Sequence, residues 1–372
     1  KWSRGAVNDR ASVPRNKGSH MKLRKQLPVI AMALGLTLAL TACDPPMPED
    51  VKITLAEKVV RCADGTGELA VPESIADLNQ GWADSLASSC DAMQLIPVEK
   101  PTNETTLVAS PAEPKTKLKP FLSLPFALDA AVLVVNIPDV FEINLSAPTI
   151  IGVFNGSITK WNDEAILADN DGLELPDITI VLPKQAGASE KLALASWIER
   201  LAGEKLDLSA IADAKVSDSE LAMPVAEGAI SIASYSSALL NGSSFAAILT
   251  KAADTSTAVL AATETIYSAS TQLVVDKKAS EFNLVIDSKS KPTAAEGNAE
   301  ADLPYQAIFT VKLYLLGDDT ELTRTLARFL FRQDSQGTIA SGTMLPIPES
   351  ARILAVKQIE KGLPKAAELP AN

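Results

Sequence analysis

Reactive chemistry in this chain has to come from few residues. Cysteine occurs three times, at Cys43, Cys62 and Cys90, and histidine once, at His20. Cys43 stands directly after Leu40-Thr41-Ala42, at the end of an uncharged run over residues 27–42 that follows Met21 and the basic Lys22, Arg24 and Lys25. A basic segment, a short apolar run and small residues together make a cleaved export signal rather than a membrane span. A cysteine at such a cleavage point accepts diacylglycerol through its thiol, and two or three acyl chains anchor a protein where one would be marginal. The chemistry expected of Cys43 is therefore lipidation. Residues 21–42 are the lipoprotein signal peptide and residues 43–50 a tether. Residues 1–20 precede the signal; Gly18-Ser19-His20-Met21 looks like a cloning scar, but a start codon read too early accounts better for a leader ahead of a native signal. The expected location is the outer face of the cytoplasmic membrane, on the extracellular or periplasmic side.

In that compartment Cys62 and Cys90 are an even pair. A disulfide between them closes a loop worth roughly 3–4 kcal/mol by chain entropy; the alternative is two buried free thiols. His20 lies in the part removed, so residues 43–372 contain no histidine. That excludes Ser-His-Asp and Cys-His nucleophile systems and zinc sites with a His ligand. With no Gly-x-Ser-x-Gly turn and no metal-spaced cluster, the chain reads as a non-enzyme without metal or cofactor. Its 330 residues after cleavage suit two domains or one bilobed unit. They carry 26 basic and 45 acidic side chains, a net charge near −19. Such a surface argues against nucleic acid and against docking on anionic lipid by charge. An anionic ligand in a cleft stays open, because local dipoles decide there.

The elements that would position a site follow from periodicity. Residues 51–60 alternate as a strand, and Gly65-Thr66-Gly67 reads as a loop. A helix starts at Ser74, with Ile75, Leu78, Trp82 and Leu86 at helical spacing. The bridge would staple the first strand region to the end of this helix. Residues 99–119, rich in Pro, Thr, Lys and Glu, read as a surface excursion. Residues 130–135 form a continuous apolar run, closed by Asn136 and Pro138, that fits a buried strand; 178–182 is another. Residues 189–202 read as a helix with Leu194, Trp197, Ile198 and Leu201 on one face and Ser189 as N-cap. Short and long strands follow at 229–232 and 307–316. A helix over 321–331 buries Leu322, Leu326, Phe329 and Leu330, and a last helix follows Pro348. Strands alternating with helices make an α/β fold. No internal repeat and no second membrane span is visible.

Three ordered blocks carry a resemblance. Leu124-Pro125-Phe126-Ala127-Leu128-Asp129-Ala130-Ala131-Val132-Leu133-Val134-Val135-Asn136 resembles the start of the second lobe in phosphate-binding proteins of ABC transporters. Gly156-Ser157-Ile158-Thr159-Lys160-Trp161-Asn162-Asp163 looks like that family's "G-x-I-x-x-W-N-D" turn, and Asn170-Asp171-Gly172-Leu173-Glu174-Leu175-Pro176 its "N-x-G-x-x-L-P" connector. Weaker echoes are Gly65-x-Gly67 with Trp82, Glu227-Gly228-Ala229-Ile230, and Leu303-Pro304-Tyr305. The resemblance implies a two-lobed periplasmic-binding-protein-like fold with a ligand cleft between the lobes, lobe 1 being residues 50–135 plus 304–372 and lobe 2 residues 136–303. It implies phosphate or another small oxyanion as ligand, an ABC permease as partner, and a monomer. By type and position, Trp161 packs under its turn, Asn162 or Asp163 caps the next helix, whose apolar face includes Ile166 and Leu167, and Asp129 caps or faces solvent rather than binding ligand.

A phosphate site needs oriented donors and a fixed cation. Where the family has "R-x-D-G-S-G-T", this chain has Lys184-Gln185-Ala186-Gly187-Ala188-Ser189-Glu190. Lys184 keeps the charge but loses the bidentate fork, and Glu190 brings a carboxylate that opposes phosphate, unless Ser189 and Glu190 only cap the helix. The family's "A-T-F-P" after Gly67 becomes Glu68-Leu69-Ala70-Val71-Pro72; its "G-S-S-G" and "S-D" segments have no match between Trp82 and Phe126, Ser88-Ser89 being a poor substitute. The candidate ligand groups are Thr66, Gly67, Lys184, Gln185, Gly187 and Ser189. The leading function is a solute-binding lipoprotein; the alternative keeps the fold as a surface sensor or interaction protein with an altered cleft. One test concerns the anchor. Globomycin, which blocks lipoprotein signal cleavage, is expected to leave a longer precursor, and Cys43→Ser to release the protein from membranes; unchanged processing and fractionation in both would refute lipidation.

Overall fold

The computed structural model describes residues 48–215, 218–279, 281–294 and 303–364. Cys43, the export signal and most of the tether lie outside the described residues. The first element is a helix, α1 (Glu49–Ala56), where alternation predicts a strand over 51–60. Of the alternating residues Ile53 is buried, while Val51, Leu55 and Val59 are exposed, so no sheet face is there to reward the pattern. The expected loop at Gly65-Thr66-Gly67 instead opens a strand, β1 (Gly65–Ala70). Glycine is needed there: Gly65 takes φ +128°, and at Gly67 the Leu326 side chain occupies the space a Cβ would fill. After a turn at Glu73–Ile75 comes α2 (Ala76–Ala87), burying Trp82 and Leu86 as its spacing predicts. The disulfide joins Cys62 to Cys90, with Cα atoms 5.7 Å apart. It ties the segment after α1, a helix rather than the expected strand, to the end of α2.

β2 (Met93–Val98) and β3 (Leu107–Ser110) follow. β3 corrects the reading of 99–119 as a surface excursion: Leu107, Val108 and Ala109 are buried. Its four residues are too short for periodicity to register. β4 (Pro120–Asn136) is 17 residues long, far longer than the apolar run at its end. Then come β5 (Asn144–Ser146), α3 (Ala147–Asn155) and α4 (Glu164–Asp169). Trp161, fully buried between these helices, donates its indole N–H to Gly228 O at 2.8 Å, and Asp163 caps α4 by accepting from Ala165 N. Ile166 is buried, but Leu167 is exposed. Residues 178–182 make only isolated bridges, Lys160 to Thr179 and Val181 to Ala229, with Val181 and Leu182 exposed; the apolar run is not a strand.

α5 (Ala188–Ala202) buries Leu194, Trp197 and Ile198. β6 (Ala229–Ser234), α6 (Tyr235–Leu240) and β7 (Ala247–Leu249) follow. The chain ends on β8 (Ile308–Leu316), α7 (Glu321–Leu330), β9 (Leu345–Pro346) and α8 (Glu349–Glu360). The main sheet runs β9-β4-β8-β3-β1-β2, with β6 added on β4. β1 is parallel to β2 and β3; β8 is antiparallel to β3 and β4. β4 changes partner midway: up to Ala130 it pairs with β8, and from Ala131 with β6. A second sheet contains β5 parallel to β7. Residues 48–372 make one compact unit, a mixed α/β fold. Among the described residues no helix is long and apolar enough to cross a membrane.

Two substitutions test this account. Gly228 has φ +77°, and the Thr179 carbonyl oxygen stands against its Cα. Gly228→Ala is expected to cost about 2–3 kcal/mol in urea unfolding; an unchanged midpoint would contradict the packing. Replacing both Cys62 and Cys90 by alanine is expected to cost about 2–4 kcal/mol, because the bridge spans 28 residues; native protein whose thiols alkylate without reduction would contradict the bridge.

Candidate functional site

A helix start that carries open N–H groups is the natural place for an anion, and the sequence points to the start of α5. Gly187 is its N-cap, with φ −61° and ψ 138° and no side chain to satisfy the first turn. The Glu190 carboxylate turns back over Gly187 and fills the space a Cβ there would need. Glu190 is 1% exposed. The position that favours an anion through the helix dipole therefore already holds the chain's own carboxylate. Glycine at 187 is what lets it approach so closely.

Ser189 is not the N-cap, because the helix begins at Ala188 and Ser189 is already its second residue. Its hydroxyl donates to Pro111 O at 2.8 Å, just beyond β3. Lys184 is exposed, with no ion pair to a described residue, while its carbonyl accepts from Ala212 N at 3.1 Å. Gln185 is half-buried and pairs with Ala212 in a two-residue ladder. The next cation, Lys191, is committed to Ile211 O at 2.6 Å and Asp213 at 2.9 Å. Gly187 and Ser189 thus meet at one point, with Lys184 and Gln185 on the approach to it.

Thr66 and Gly67 are placed differently. β1 is parallel to β3, so its carboxyl end, at Ala70, lies on the same side as Ser110. Thr66 stands four residues earlier, about 13 Å back along the strand at 3.3 Å per residue, and Gly67 is buried against Leu326 and Thr106. The structure brings neither to the α5 start. What the carboxyl ends present instead is Ser110-Pro111 after β3 and the Glu73–Ile75 turn after β1. Ser74 Oγ is buried there without a hydrogen-bond partner, and the Glu73 carboxylate accepts from Ser219 Oγ at 2.7 Å. Sequence reasoning missed these residues. The signal for Ser110 was the run Leu107-Val108-Ala109 before it, lost inside a polar stretch.

Asp129 is 2% exposed, which removes the surface role and leaves the capping one. It accepts from Ala130 N at 2.7 Å, from Ser236 N at 3.2 Å and from Ser236 Oγ at 2.5 Å. Ser236 opens α6, whose N-cap Ser234 accepts from Ser237 N. Asp129 therefore ties β4, where it changes partner, to the start of α6. Beside it Tyr305 OH donates to Ala131 O at 2.8 Å and packs edge-on against Trp197 at 4.7 Å. Full burial pushes the Tyr305 phenol far up, so it stays a neutral donor. Among the described residues no group of His, Cys, Asp and Glu could hold a metal ion.

Comparison with known proteins agrees with this architecture. The family model of a PBP superfamily domain matches residues 99–303, more than half the chain. The chain is 31% identical over 83 residues to the phosphate-binding protein PstS of Xylella fastidiosa, covering 22% of this chain and 23% of that protein. It is 41% identical over 61 residues to the phosphate-binding protein PstS2 of Mycobacterium bovis, 16% of each chain. The match thus spans less than a quarter of these curated relatives. Among solved structures, the ancestral soluble variant of the human phosphate binding protein superposes with a TM-score of 0.51 at 14% identity, covering 82% of this chain and 99% of that one. A high-affinity periplasmic phosphate-binding protein, PfluDING, gives 0.50 at 13% identity, covering 81% and 100%. The fold is theirs, and the chain belongs to the PBP superfamily, where its relatives are phosphate-binding proteins.

Proposed function

We propose that this chain is a lipid-anchored extracytoplasmic solute-binding protein that presents phosphate or a related small oxyanion to an ABC permease. The observation that carries the reading is the meeting of the α5 start with the carboxyl end of β3, through Ser189 and Pro111. Ligands of open α/β sheets sit outside strand carboxyl ends, and helix starts favour anions. With the lobes taken as residues 50–135 plus 304–372 and 136–303, β4 and the segment before β8 are the connections about which they close. Lys184, exposed at this point, supplies an uncommitted cation. Lipid on Cys43 keeps the protein beside its permease, and binding and release need no covalent step. The protein acts as a monomer.

One observation favours a second reading. The Glu190 carboxylate already occupies the α5 start, so the cleft can serve a different ligand or partner, and the protein a sensing or docking role. Calorimetry of residues 48–372 with phosphate and then sulfate separates the two. The transport reading expects saturable micromolar phosphate binding, tightened about tenfold in Glu190→Gln, since removing a like charge from a low-dielectric site is worth about 1.4 kcal/mol or more. No heat with either anion, in wild type and in Glu190→Gln alike, would overturn it in favour of the second.

A further inference from the structure

The first described helix, α1, is held to the body of the protein along one side. Ile53 is buried there, and one turn on the Glu57 carboxylate accepts from Arg352 Nη1 at 2.5 Å and from Gln333 N at 3.0 Å. The other side faces solvent and is apolar: Val51 is 42% exposed, Leu55 41% and Val59 64%. Val51 and Leu55 are one turn apart. Val59 follows four residues on, where Lys58 N still donates back to Leu55 O at 3.2 Å. Lys52 and Lys58, both exposed, flank this row. Single exposed apolar side chains are ordinary on a protein surface. A row of three edged by lysines is the composition of a helix that lies in a membrane interface. The apolar groups enter the boundary, and the lysine stems lie on it while their ammonium groups stay among the headgroups.

The length of chain before α1 decides what covers the row. Only residues 44–48 separate Cys43 from the first residue of α1. Fully extended, that stretch spans at most about 22 Å, so a lipid on Cys43 holds the start of α1 within that distance of the bilayer. The helix itself is about 12 Å long at 1.5 Å per residue. We propose, resting on the lipid-anchored reading, that the exposed row of α1 docks on the phospholipid bilayer. Val51, Leu55 and Val59 enter the headgroup boundary, and Lys52 and Lys58 sit among the phosphates. The acidic balance of the chain repels anionic lipid, so the contact is made by apolar surface. Three half-exposed side chains do not hold a free protein on a membrane; the anchor supplies the effective concentration that makes so weak a contact persist. The docking fixes which face of the protein turns to the membrane, which a flexible tether alone leaves open.

With Cys62 and Cys90 joined, residues 43–372 carry one free thiol, Cys43, which can be coupled to a maleimide phospholipid in phosphatidylcholine vesicles. The anchor is then set chemically, so the result does not depend on whether the cell lipidates Cys43; globomycin and Cys43→Ser read that separately. The tryptophans of this stretch, Trp82, Trp161 and Trp197, are buried, so a tryptophan placed on the surface reports contact with brominated acyl chains. Leu55→Trp is expected to lose most of its added emission in brominated vesicles. Leu192→Trp, on the exposed side of α5, should keep its emission. Val51→Glu added to Leu55→Trp, which puts a charge into the row, should restore the emission. Urea midpoints show that the variants are folded; where Val51→Glu lowers the midpoint, Val59→Glu takes its place. No quenching at Leu55→Trp, equal quenching at Leu192→Trp, or quenching that survives the added glutamate would each overturn the proposal. So would a dimer of residues 48–372 in sedimentation that Val51→Glu abolishes, because a second copy would then cover the row.

Discussion

The structure hangs on the point where β4 leaves one ladder and enters another. Up to Ala130 its backbone is paired with β8, and from Ala131 with β6. A strand that switches partner exposes polar backbone at the switch, and buried N–H and C=O groups must be paired. Three contacts meet that demand here. Ala131 N donates to Ala307 O at 2.7 Å, Tyr305 OH donates to Ala131 O, and Asp129 accepts from Ala130 N. Every residue from Leu124 to Val135 is buried, so the switch is surrounded by core on both sides. The phenol and the carboxylate are the only groups of those three contacts that come from side chains, and both sit where no solvent could replace them.

From that point the placement of α5 follows. Trp197 of α5 packs on Tyr305, and the helix start meets the end of β3 through Ser189 and Pro111. The Glu190 carboxylate, on the third residue of the helix, reaches back over Gly187 to the place where the helix dipole most favours an anion. The same charge that stabilises the helix start would oppose an external anion there, so under the proposed function stability and binding are linked through Glu190.

α1, α7 and α8 carry another concentration of charge. Arg352, 2% exposed, is held by Glu57, by Glu349 at 2.6 Å and by the Phe331 carbonyl at 2.8 Å. A buried pair of this kind is weak evidence for stability but breaking it is costly. Here it connects α1 to α7 and α8, three elements far apart in sequence, and it explains why the first described helix is docked although its apolar residues are mostly exposed. The disulfide after α1 reinforces the same attachment.

Much of this was legible in the residues themselves. The helices over 76–87, 188–202 and 321–330 follow from apolar spacing, that over 349–360 from Pro348 before it, the strand over 308–316 from its β-branched and aromatic run, and the turn around Trp161 and Asp163 from its motif. The cysteine pair followed from count and compartment. These are local properties: period, composition and number can be read along a chain. Tertiary structure decided the rest, for a physical reason in each case. β3 is a strand because β1 and β8 flank it, and nothing within four residues can announce that. Residues 49–56 are a helix whose end is fixed by Glu57, held by Arg352 almost three hundred positions away. Thr66 and Gly67 are separated from the α5 start by the direction of a parallel strand, and Pro111 is joined to Ser189 across 78 positions of sequence. Which donors share a site depends on which chain ends meet in space, and that is set by long-range packing rather than by the order of residues.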